Sequence, residues 1–204
     1  SDYLSQIISS NINNVQTVSG GDISVAYVVA TNNNKFFLKV NNKPWALDMF
    51  KAEAQGLTAI RKSNTIATPK VIAFDTFKNE SFILMEFVES KRASSNDMEM
   101  FGRQLAQLHQ VSAQDFGFDN NNFIGSLHQS NRKHKTWNDF YIEERLNTQL
   151  QLAETRGLLK HSEILKTELM KNICNDYFKD IRPSLLHGDL WSGNYLIALD
   201  GTPY

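Results

Sequence analysis

The chain has 204 residues, which is enough for one large domain or two small ones with a hydrophobic core. Its composition, 41% hydrophobic and 21% charged, is that of an ordinary globular protein and excludes a disordered tail. Its 21 lysines and arginines nearly balance its 22 aspartates and glutamates, so the charge predicts neither nucleic acid nor an anionic membrane as a partner.

The cysteine count and the hydropathy indicate the cellular compartment. Cys174 is the only cysteine, so the chain forms neither an internal disulfide nor a multi-thiolate metal site, and we expect it to be a small buried hydrophobe. No run approaches about 18 apolar residues, and the first residues lack the features of a secretory signal. These features predict a cytoplasmic protein with no membrane partner.

The first half of the chain predicts a short helix and two hairpins with a helix between them. Apolar residues that recur every three or four positions indicate helices at residues 3–12 and 44–62. Strand patterns occur at residues 23–29, 36–40, 71–74 and 82–88. The polar segment Glu89–Asp97 is predicted to link two lobes.

The second half predicts a mostly helical region. Helical spacing recurs at residues 98–111, 137–156 and 162–178, and the long polar segment Asp115–Thr136 is interpreted as a loop. A strand is predicted at residues 196–199, followed by a turn at Asp200-Gly201-Thr202 and the start of a second strand. The sequence thus predicts an α+β protein whose sheet lies in its first half.

The segment with the clearest chemical signature lies near the end of the chain. His187-Gly188-Asp189 follows an apolar pair, Asn194 lies five positions after the aspartate, and an apolar strand comes next. This is the spacing of the kinase catalytic loop H-R-D-x-x-x-x-N, whose aspartate accepts or orients the proton of the attacking hydroxyl and whose asparagine holds Mg²⁺. The spacing therefore points to phosphoryl transfer, with Asp189 as the base, Asn194 as a magnesium ligand and His187 supporting the loop.

The complete string His187–Asn194, with the sequence HGDLWSGN, resembles the fructosamine (ketosamine) kinase family. Other stretches that resemble this family follow in the expected order, among them SGGDI at 19–23, FLKVN at 37–41, FKAEAQGL at 50–57 and LAQLH at 105–109. The resemblance covers nearly the whole chain. It places the chain within the superfamily of protein-kinase-like enzymes and aminoglycoside phosphotransferases.

The resemblance implies an α+β, protein-kinase-like fold with two lobes. Residues 1–90 would form a nucleotide-binding N-lobe with an antiparallel sheet and one helix, and residues 91–204 a mainly helical C-lobe that carries the catalytic loop and is incomplete. Such kinases need a second metal-binding aspartate beyond the hairpin that follows the asparagine, whereas Asp200 falls in the turn of that hairpin. We therefore expect the chain to be a fragment of a larger kinase, with little transfer activity of its own.

Lys39 lies in an apolar strand between Leu38 and Val40, where an unpaired ammonium group is costly to bury. The resemblance implies that Lys39 contacts the α- and β-phosphates of ATP and pairs with Glu53 on the following helix. The strand pattern alone is equally compatible with Lys39 on the outer face of the hairpin, pointing to solvent.

Backbone groups at two further places are expected to contact the nucleotide. Gly20 and Gly21 lie at the mouth of the first hairpin, where glycines let N–H groups approach phosphates, although Ser-Gly-Gly-Asp is also an ordinary turn. The resemblance implies that the segment with Glu86 and Val88 is the hinge whose backbone binds adenine, although its pattern also fits a plain edge strand. The basic run His128–Lys135 is interpreted as a solvated loop, with a phosphate or an acidic partner as the alternative.

The activity that the resemblance implies is ATP- and Mg²⁺-dependent phosphorylation of a sugar hydroxyl on a ketosamine. The acceptor would be a fructosamine or ribulosamine adduct, free or linked to protein, in the repair of glycated proteins. Two other functions remain open. His187-Gly188-Asp189 is shared with phosphotransferases that act on aminoglycosides or choline, and a chain that natively ends at Tyr204 would be a catalytically inactive nucleotide-binding module.

Overall fold

The computed structural model describes residues 2–18, 23–161 and 166–204. The chain divides into two compact units, of which the first contains Ser1–Leu108 with Leu186–Tyr204 and the second contains His109–Leu185. The segment with Asp189 and Asn194 thus belongs to the same unit as the N-terminal sheet. None of the described helices is long and apolar enough to cross a membrane.

The first unit is built on a five-stranded antiparallel sheet. Its strands are β1 (Asn14–Val18), β2 (Val25–Ala30), β3 (Lys35–Asn41), β4 (Val71–Phe77) and β5 (Glu80–Glu86), in the order β1-β2-β3-β5-β4. Both predicted hairpins are present, and β3 pairs with β5 to join them. The sequence does not predict the edge strand β1, because four of its five residues are exposed and its apolar residues show no burial pattern.

One helix covers each face of this sheet. Helix α1 spans Asp2–Ile8, four residues shorter at its end than predicted, and helix α2 spans Ala46–Lys62. Ile83 and Met85 of β5 pack in the cluster formed with α2, whereas Phe82 and Leu84 pack in the cluster under α1. Because β5 is buried on both faces, its sequence is a continuous apolar run and not an alternation.

The polar segment after β5 contains a strand and the start of a helix. Strand β6 (Ser90–Lys91) pairs antiparallel with a strand near the end of the chain, Ile197–Ala198. Helix α3 (Ser95–Leu108) starts three residues earlier than predicted. The early start follows from a capping box, in which Ser94 Oγ accepts from the Asp97 N–H at 3.2 Å and the Asp97 carboxylate accepts from the Ser94 N–H at 2.8 Å.

The second unit is mainly helical. In chain order its elements are the hairpin β7 (Asn122–Ile124) and β8 (Leu127–Gln129), α4 (Trp137–Phe140), a π-helical segment (Tyr141–Leu146), α5 (Asn147–Thr155) and α6 (Thr167–Tyr177).

The hairpin lies in the segment predicted to be a loop, and the helix predicted over residues 137–156 has the π-helical segment at its centre. Residues 162–165 of the third predicted helix lie outside the described residues. Cys174 is buried beside Ile142 and Met170, as predicted. The strand Ile197–Ala198 that pairs with β6 is β9, and it belongs to the first unit.

A buried carboxylate organises the second unit. Glu144 is 3% exposed, and its Oε1 lies 2.8 Å from Arg132 Nη2 and 2.9 Å from His134 Nε2. The next residue, Arg145, donates to the Ser130 carbonyl at 2.7 Å. The wider turn of the π-helix allows these two consecutive side chains to reach the same preceding loop, which explains why the regular helix predicted here is interrupted.

Four of the five basic residues in His128–Lys135 are paired with acidic residues of the same unit. The ion pairs are Lys133 with Asp119 at 3.0 Å, Lys135 with Asp115 at 2.6 Å, and Arg132 and His134 with Glu144. Because these four charges are already paired within the chain, the structure argues against a phosphate-binding cluster. The start of the run, His128 and Gln129, belongs to β8, so only the remainder is a loop.

Glu144→Gln is expected to lower the free energy of unfolding by about 2 kcal/mol, because it leaves Arg132 and His134 without their shared anion at a buried position. Urea unfolding measures this change. Glu143 lies 3.8 Å from Arg132 and is partly exposed, so Glu143→Gln is the matched control and should cost less than about 0.5 kcal/mol. A Glu144→Gln variant as stable as its control would contradict this assignment.

The same carboxylate is expected to make the protein sensitive to acid. Burial alone would raise the pKa of Glu144, but hydrogen bonds with Ser130, His134 and Arg132 hold this pKa below its ordinary value of 4.5. A lowered pKa in the folded state gives a stabilisation that is present above the unfolded pKa and is lost as the pH falls through the folded pKa. The stability difference between wild type and Glu144→Gln should therefore shrink below pH 4.5. If the stability difference between wild type and Glu144→Gln stays constant down to the pH at which the protein unfolds, the acid sensitivity does not come from Glu144.

Candidate active site

Lys39 lies on the face of the sheet that helix α2 covers. It is opposite Ile83 in the register of β3 and β5, and its Nζ is 2.6 Å from Oε1 of Glu53 on α2. The two side chains are 29% and 27% exposed, so the ion pair is partly shielded from water. Of the two orientations that the strand pattern allows, the structure therefore has the one that faces Glu53.

Asn41 is a buried polar residue for which the sequence predicts no role. It lies two positions after Lys39, and its Nδ2 donates to the Ile23 carbonyl at 2.9 Å and to Ser24 Oγ at 3.2 Å. Its Oδ1 accepts from the Lys43 N–H at 2.8 Å. Asn41 thus joins the residues that enter β2 to the turn before α2. The sequence carries only a weak signal of this role, a single polar residue at the end of an apolar run.

The residues expected to bind the nucleotide through their backbones are Glu86, Val88, Gly20 and Gly21. Glu86 ends β5, where its N–H donates to the Lys70 carbonyl at 2.9 Å and its carboxylate accepts from the Lys70 N–H at 3.3 Å. These bonds commit the backbone N–H and the side chain of Glu86 to the neighbouring segment. Val88 is half-buried in the segment between β5 and β6. Gly20 and Gly21 lie outside the described residues.

Asp189 and Asn194 are brought together in one tight, exposed loop. Asn194 Nδ2 donates to the Asp189 carbonyl at 2.7 Å and to Asp189 Oδ2 at 3.1 Å. The Asn194 N–H donates to the Trp191 carbonyl at 2.9 Å and closes the loop. Because the amide nitrogen of Asn194 makes both side-chain bonds, its amide oxygen is the atom that remains for a cation.

His187 contacts the same loop from within. Its Nδ1 accepts from the Asp189 N–H at 3.3 Å. Burial lowers the pKa of His187, against the opposing effects of the Asp189 charge and of a hydrogen bond with the Asn194 backbone. The imidazole is therefore neutral at pH 7, which is the form that can accept a hydrogen bond at Nδ1.

The two glycines of the loop have different surroundings. Gly188 has a φ of +88°, a backbone conformation that other residues rarely adopt. Gly193 has no such angle, but a Cβ at this position would lie 2.4 Å from the ring of Trp191. The indole of Trp191 therefore folds across Gly193 while remaining 56% exposed.

The donor atoms of this loop suit Mg²⁺. This ion prefers oxygen ligands in an octahedron and usually completes its shell with water and with substrate phosphates. The Asn194 amide oxygen is such a donor. Asp200 does not join it, because it lies in the hairpin turn and its Oδ1 accepts from the Thr202 N–H at 2.9 Å.

A second group of potential metal ligands lies in the second unit. His134, Glu143 and Glu144 place ligand atoms within 4.8 Å of one another. Arg132 lies 2.8 Å from Glu144 Oε1, however, and a metal ion would have to displace its guanidinium. We therefore interpret this group as an ion-pair network.

The Lys39–Glu53 pair and the Asp189–Asn194 loop belong to one compact unit built on an antiparallel sheet. This combination is that of a protein-kinase-like fold. Among solved structures, the chain is similar to a protein assigned as a fructosamine-3-kinase from Haemophilus somnus, with a TM-score of 0.84 and 26% identity over 100% of this chain and 68% of that one. Aminoglycoside phosphotransferase APH(4)-Ia shares the fold, with a TM-score of 0.59 and 12% identity over 99% of this chain and 68% of that one.

The sequence comparisons are more specific. The family model of fructosamine kinase matches residues 2–204, so the chain belongs to the fructosamine kinase family. A probable ketoamine kinase of Vibrio parahaemolyticus is 37% identical over 186 residues, which cover 90% of this chain and 64% of that protein. A probable ketoamine kinase of Vibrio cholerae is 35% identical over 193 residues, which cover 91% and 64%. The chain thus spans about two thirds of the length of these curated relatives.

These comparisons confirm the predicted family and the predicted fold class. The curated relatives that this chain matches are assigned as probable ketoamine kinases. The roles of the individual site residues rest on their geometry and remain predictions.

Proposed function

We propose that the chain carries the nucleotide site and the catalytic base of an ATP- and Mg²⁺-dependent ketosamine kinase. The single observation that carries this proposal is the contact between Asp189 and Asn194, with Asn194 Nδ2 3.1 Å from Asp189 Oδ2. It sets the group that accepts a proton beside an amide oxygen suited to the metal. We further propose that the enzyme acts in the cytoplasm, on ketosamines that are free or attached to protein.

The nucleotide is held by groups of the first unit. Lys39 binds the α- and β-phosphates, and Glu53, 2.6 Å away, keeps its ammonium group in place. The backbones of Glu86 and Val88 bind adenine, and those of Gly20 and Gly21 cover the phosphates. In this arrangement the protein supplies mainly position and charge, which is how kinases lower the barrier to phosphoryl transfer. The metal, when bound, neutralises charge on the phosphate oxygens.

Asp189 acts on the acceptor. The hydroxyl oxygen of the sugar forms a bond to the γ-phosphorus while the bond from that phosphorus to the bridging oxygen of ADP breaks, and the hydroxyl proton passes to the Asp189 carboxylate. Asp189 is exposed, and so is the ring of Trp191 two positions later, so the acceptor reaches the base without passing through the core.

A panel of acceptors tests the proposed substrate class. ADP release is measured with fructoselysine, ribuloselysine, an aminoglycoside and choline, in the longest polypeptide that carries residues 1–204. Turnover is expected with the two ketosamines. Strong turnover of the aminoglycoside or choline with none of the ketosamines would contradict the substrate class. ATP binding without turnover of any acceptor would instead support an inactive nucleotide-binding module.

A further inference from the structure

A buried carboxylate in the first unit joins helix α3 to strand β6. Asp97 is 7% exposed, and its carboxylate accepts from the Ser94 N–H at 2.8 Å and from the Ser94 hydroxyl at 2.7 Å. Lys91 Nζ, on β6, lies 3.2 Å from the same carboxylate. The hydrogen bond from the Ser94 backbone is the main reason that the pKa of Asp97 is lowered, so the group is an anion at neutral pH.

The turn after the candidate catalytic loop packs directly on this carboxylate. Gly201 has a φ of +95°, and a Cβ at this position would lie 2.9 Å from Asp97 Oδ1 and 3.6 Å from Lys91 Nζ. Only a residue without a side chain permits this close approach. The hairpin turn therefore rests on the same two charged groups that join α3 to β6.

A second contact holds the other end of the same hairpin strand. Phe101, one helical turn after Asp97 on α3, stacks on Tyr195 with 4.8 Å between ring centroids. Tyr195 directly follows Asn194. Strand β9 pairs with β6 through two residues, and the Leu199 N–H adds a bond to the Glu89 carbonyl at 3.2 Å. Because so short a ladder positions a strand weakly, the contacts with α3 add to its positioning.

We infer that Asp97 is a positioning residue for Asn194. By holding the turn at Gly201 against α3, its carboxylate fixes the strand that leads back to Asn194, and with it the amide oxygen assigned to Mg²⁺. Because β6 follows the segment with Glu86 and Val88, the same contact ties the catalytic loop to the proposed adenine-binding segment. The inference rests on the proposed function, since it takes Asn194 as the metal ligand.

Asp97→Asn and Gly201→Ala test the contact from its two sides. Asparagine keeps the shape of the side chain but removes its charge and one acceptor, and alanine at 201 places a methyl group against the carboxylate. Gly157→Ala is the matched control. Gly157 also has a positive φ, +71°, but no atom of the described residues lies within 4 Å of its Cβ position. The control therefore has comparable backbone strain without the contact.

The readout is the affinity for ATP, measured by titration calorimetry with and without Mg²⁺. The wild type should gain affinity from the metal. Asp97→Asn and Gly201→Ala should lose about tenfold in affinity with Mg²⁺ and stay within about twofold of wild type without it, as expected for a residue that orients a metal ligand. Gly157→Ala should match the wild type in both titrations. Without nucleotide, amides of residues 189–199 should exchange hydrogen faster in the two test variants than in the control.

Three results would overturn the inference, and they differ from one another. A wild type that binds no ATP contradicts the proposed function as well. A wild type that gains affinity from Mg²⁺, with test variants that gain as much, contradicts the positioning role alone. Equal losses with and without Mg²⁺ would show that Asp97 only stabilises the fold. Circular dichroism measures whether each variant is folded at the assay temperature. If Asp97→Asn is not folded, Gly201→Ala alone is used to test the inference.

Discussion

Replacing Asp189 by asparagine is expected to slow phosphoryl transfer about a thousandfold while leaving the affinity for ATP within about twofold. A carboxylate accepts the proton of the attacking hydroxyl, and an amide does not. The substitution is nearly isosteric, and the new amide oxygen can still accept from Asn194 Nδ2, as Asp189 Oδ2 does at 3.1 Å. The loss should therefore fall on the rate of transfer and not on the geometry of the loop.

Steady-state ADP release with fructoselysine measures kcat for this variant, and calorimetry measures its affinity for ATP. Asp119→Asn is the matched control, because Asp119 is an exposed carboxylate paired with Lys133 in the second unit and should leave kcat unchanged. A kcat of Asp189→Asn within about tenfold of wild type would contradict its assignment as the base. A large loss of ATP affinity would show that Asp189 mainly supports nucleotide binding.

Lys39→Ala is expected to lower kcat/KM for ATP about a hundredfold. The substitution removes the cation assigned to the phosphates and leaves the Glu53 carboxylate without its partner at 2.6 Å. The unpaired carboxylate then repels the phosphates, which adds to the loss. An ion pair with this exposure contributes no more than about 1 kcal/mol to folding, so the variant should stay folded.

Two further variants define the origin of this effect. Glu53→Gln keeps Lys39 but loosens its position, and should cost about tenfold in kcat/KM. Arg103→Ala is the control, since it removes the cation of an exposed ion pair with Glu99 on α3 and should leave ATP kinetics unchanged. Wild-type ATP kinetics in Lys39→Ala would contradict the phosphate-binding role.

The elements that were predicted correctly are those with a strong local pattern. The hairpins β2–β3 and β4–β5 and helix α2 carry clear runs of apolar residues between turn signals. The edge strand β1 does not, because Val15 and its neighbours are exposed and its place is decided by pairing with β2. The π-helical segment was likewise not predictable, since it depends on the contacts of Glu144 and Arg145 with a loop that precedes them in the chain.

In the candidate site, too, the features with a local sequence pattern are predictable and those that depend on distant residues are not. The loop with Asp189 and Asn194 is recognisable because its groups lie close together in sequence. The orientation of Lys39 was left open because β3 is covered on both faces, so that Phe36 and Phe37 are both half-buried and no alternation marks the inner face. The contact of Asp97 with Gly201 joins residues more than a hundred positions apart. Its local part, the capping pattern Ser94-x-x-Asp97, is visible in the sequence, but its partner is not.

The most direct test of the account is the product formed from ATP and a peptide that carries fructoselysine. The peptide is incubated with Mg²⁺·ATP and the longest polypeptide that carries residues 1–204, and its mass and phosphorus NMR spectrum are recorded. The peptide is expected to become heavier by one phosphoryl group, with the phosphate on a sugar hydroxyl and ADP formed in equal amount. An unmodified peptide, in the presence of an enzyme that phosphorylates another acceptor through Asp189, would contradict it.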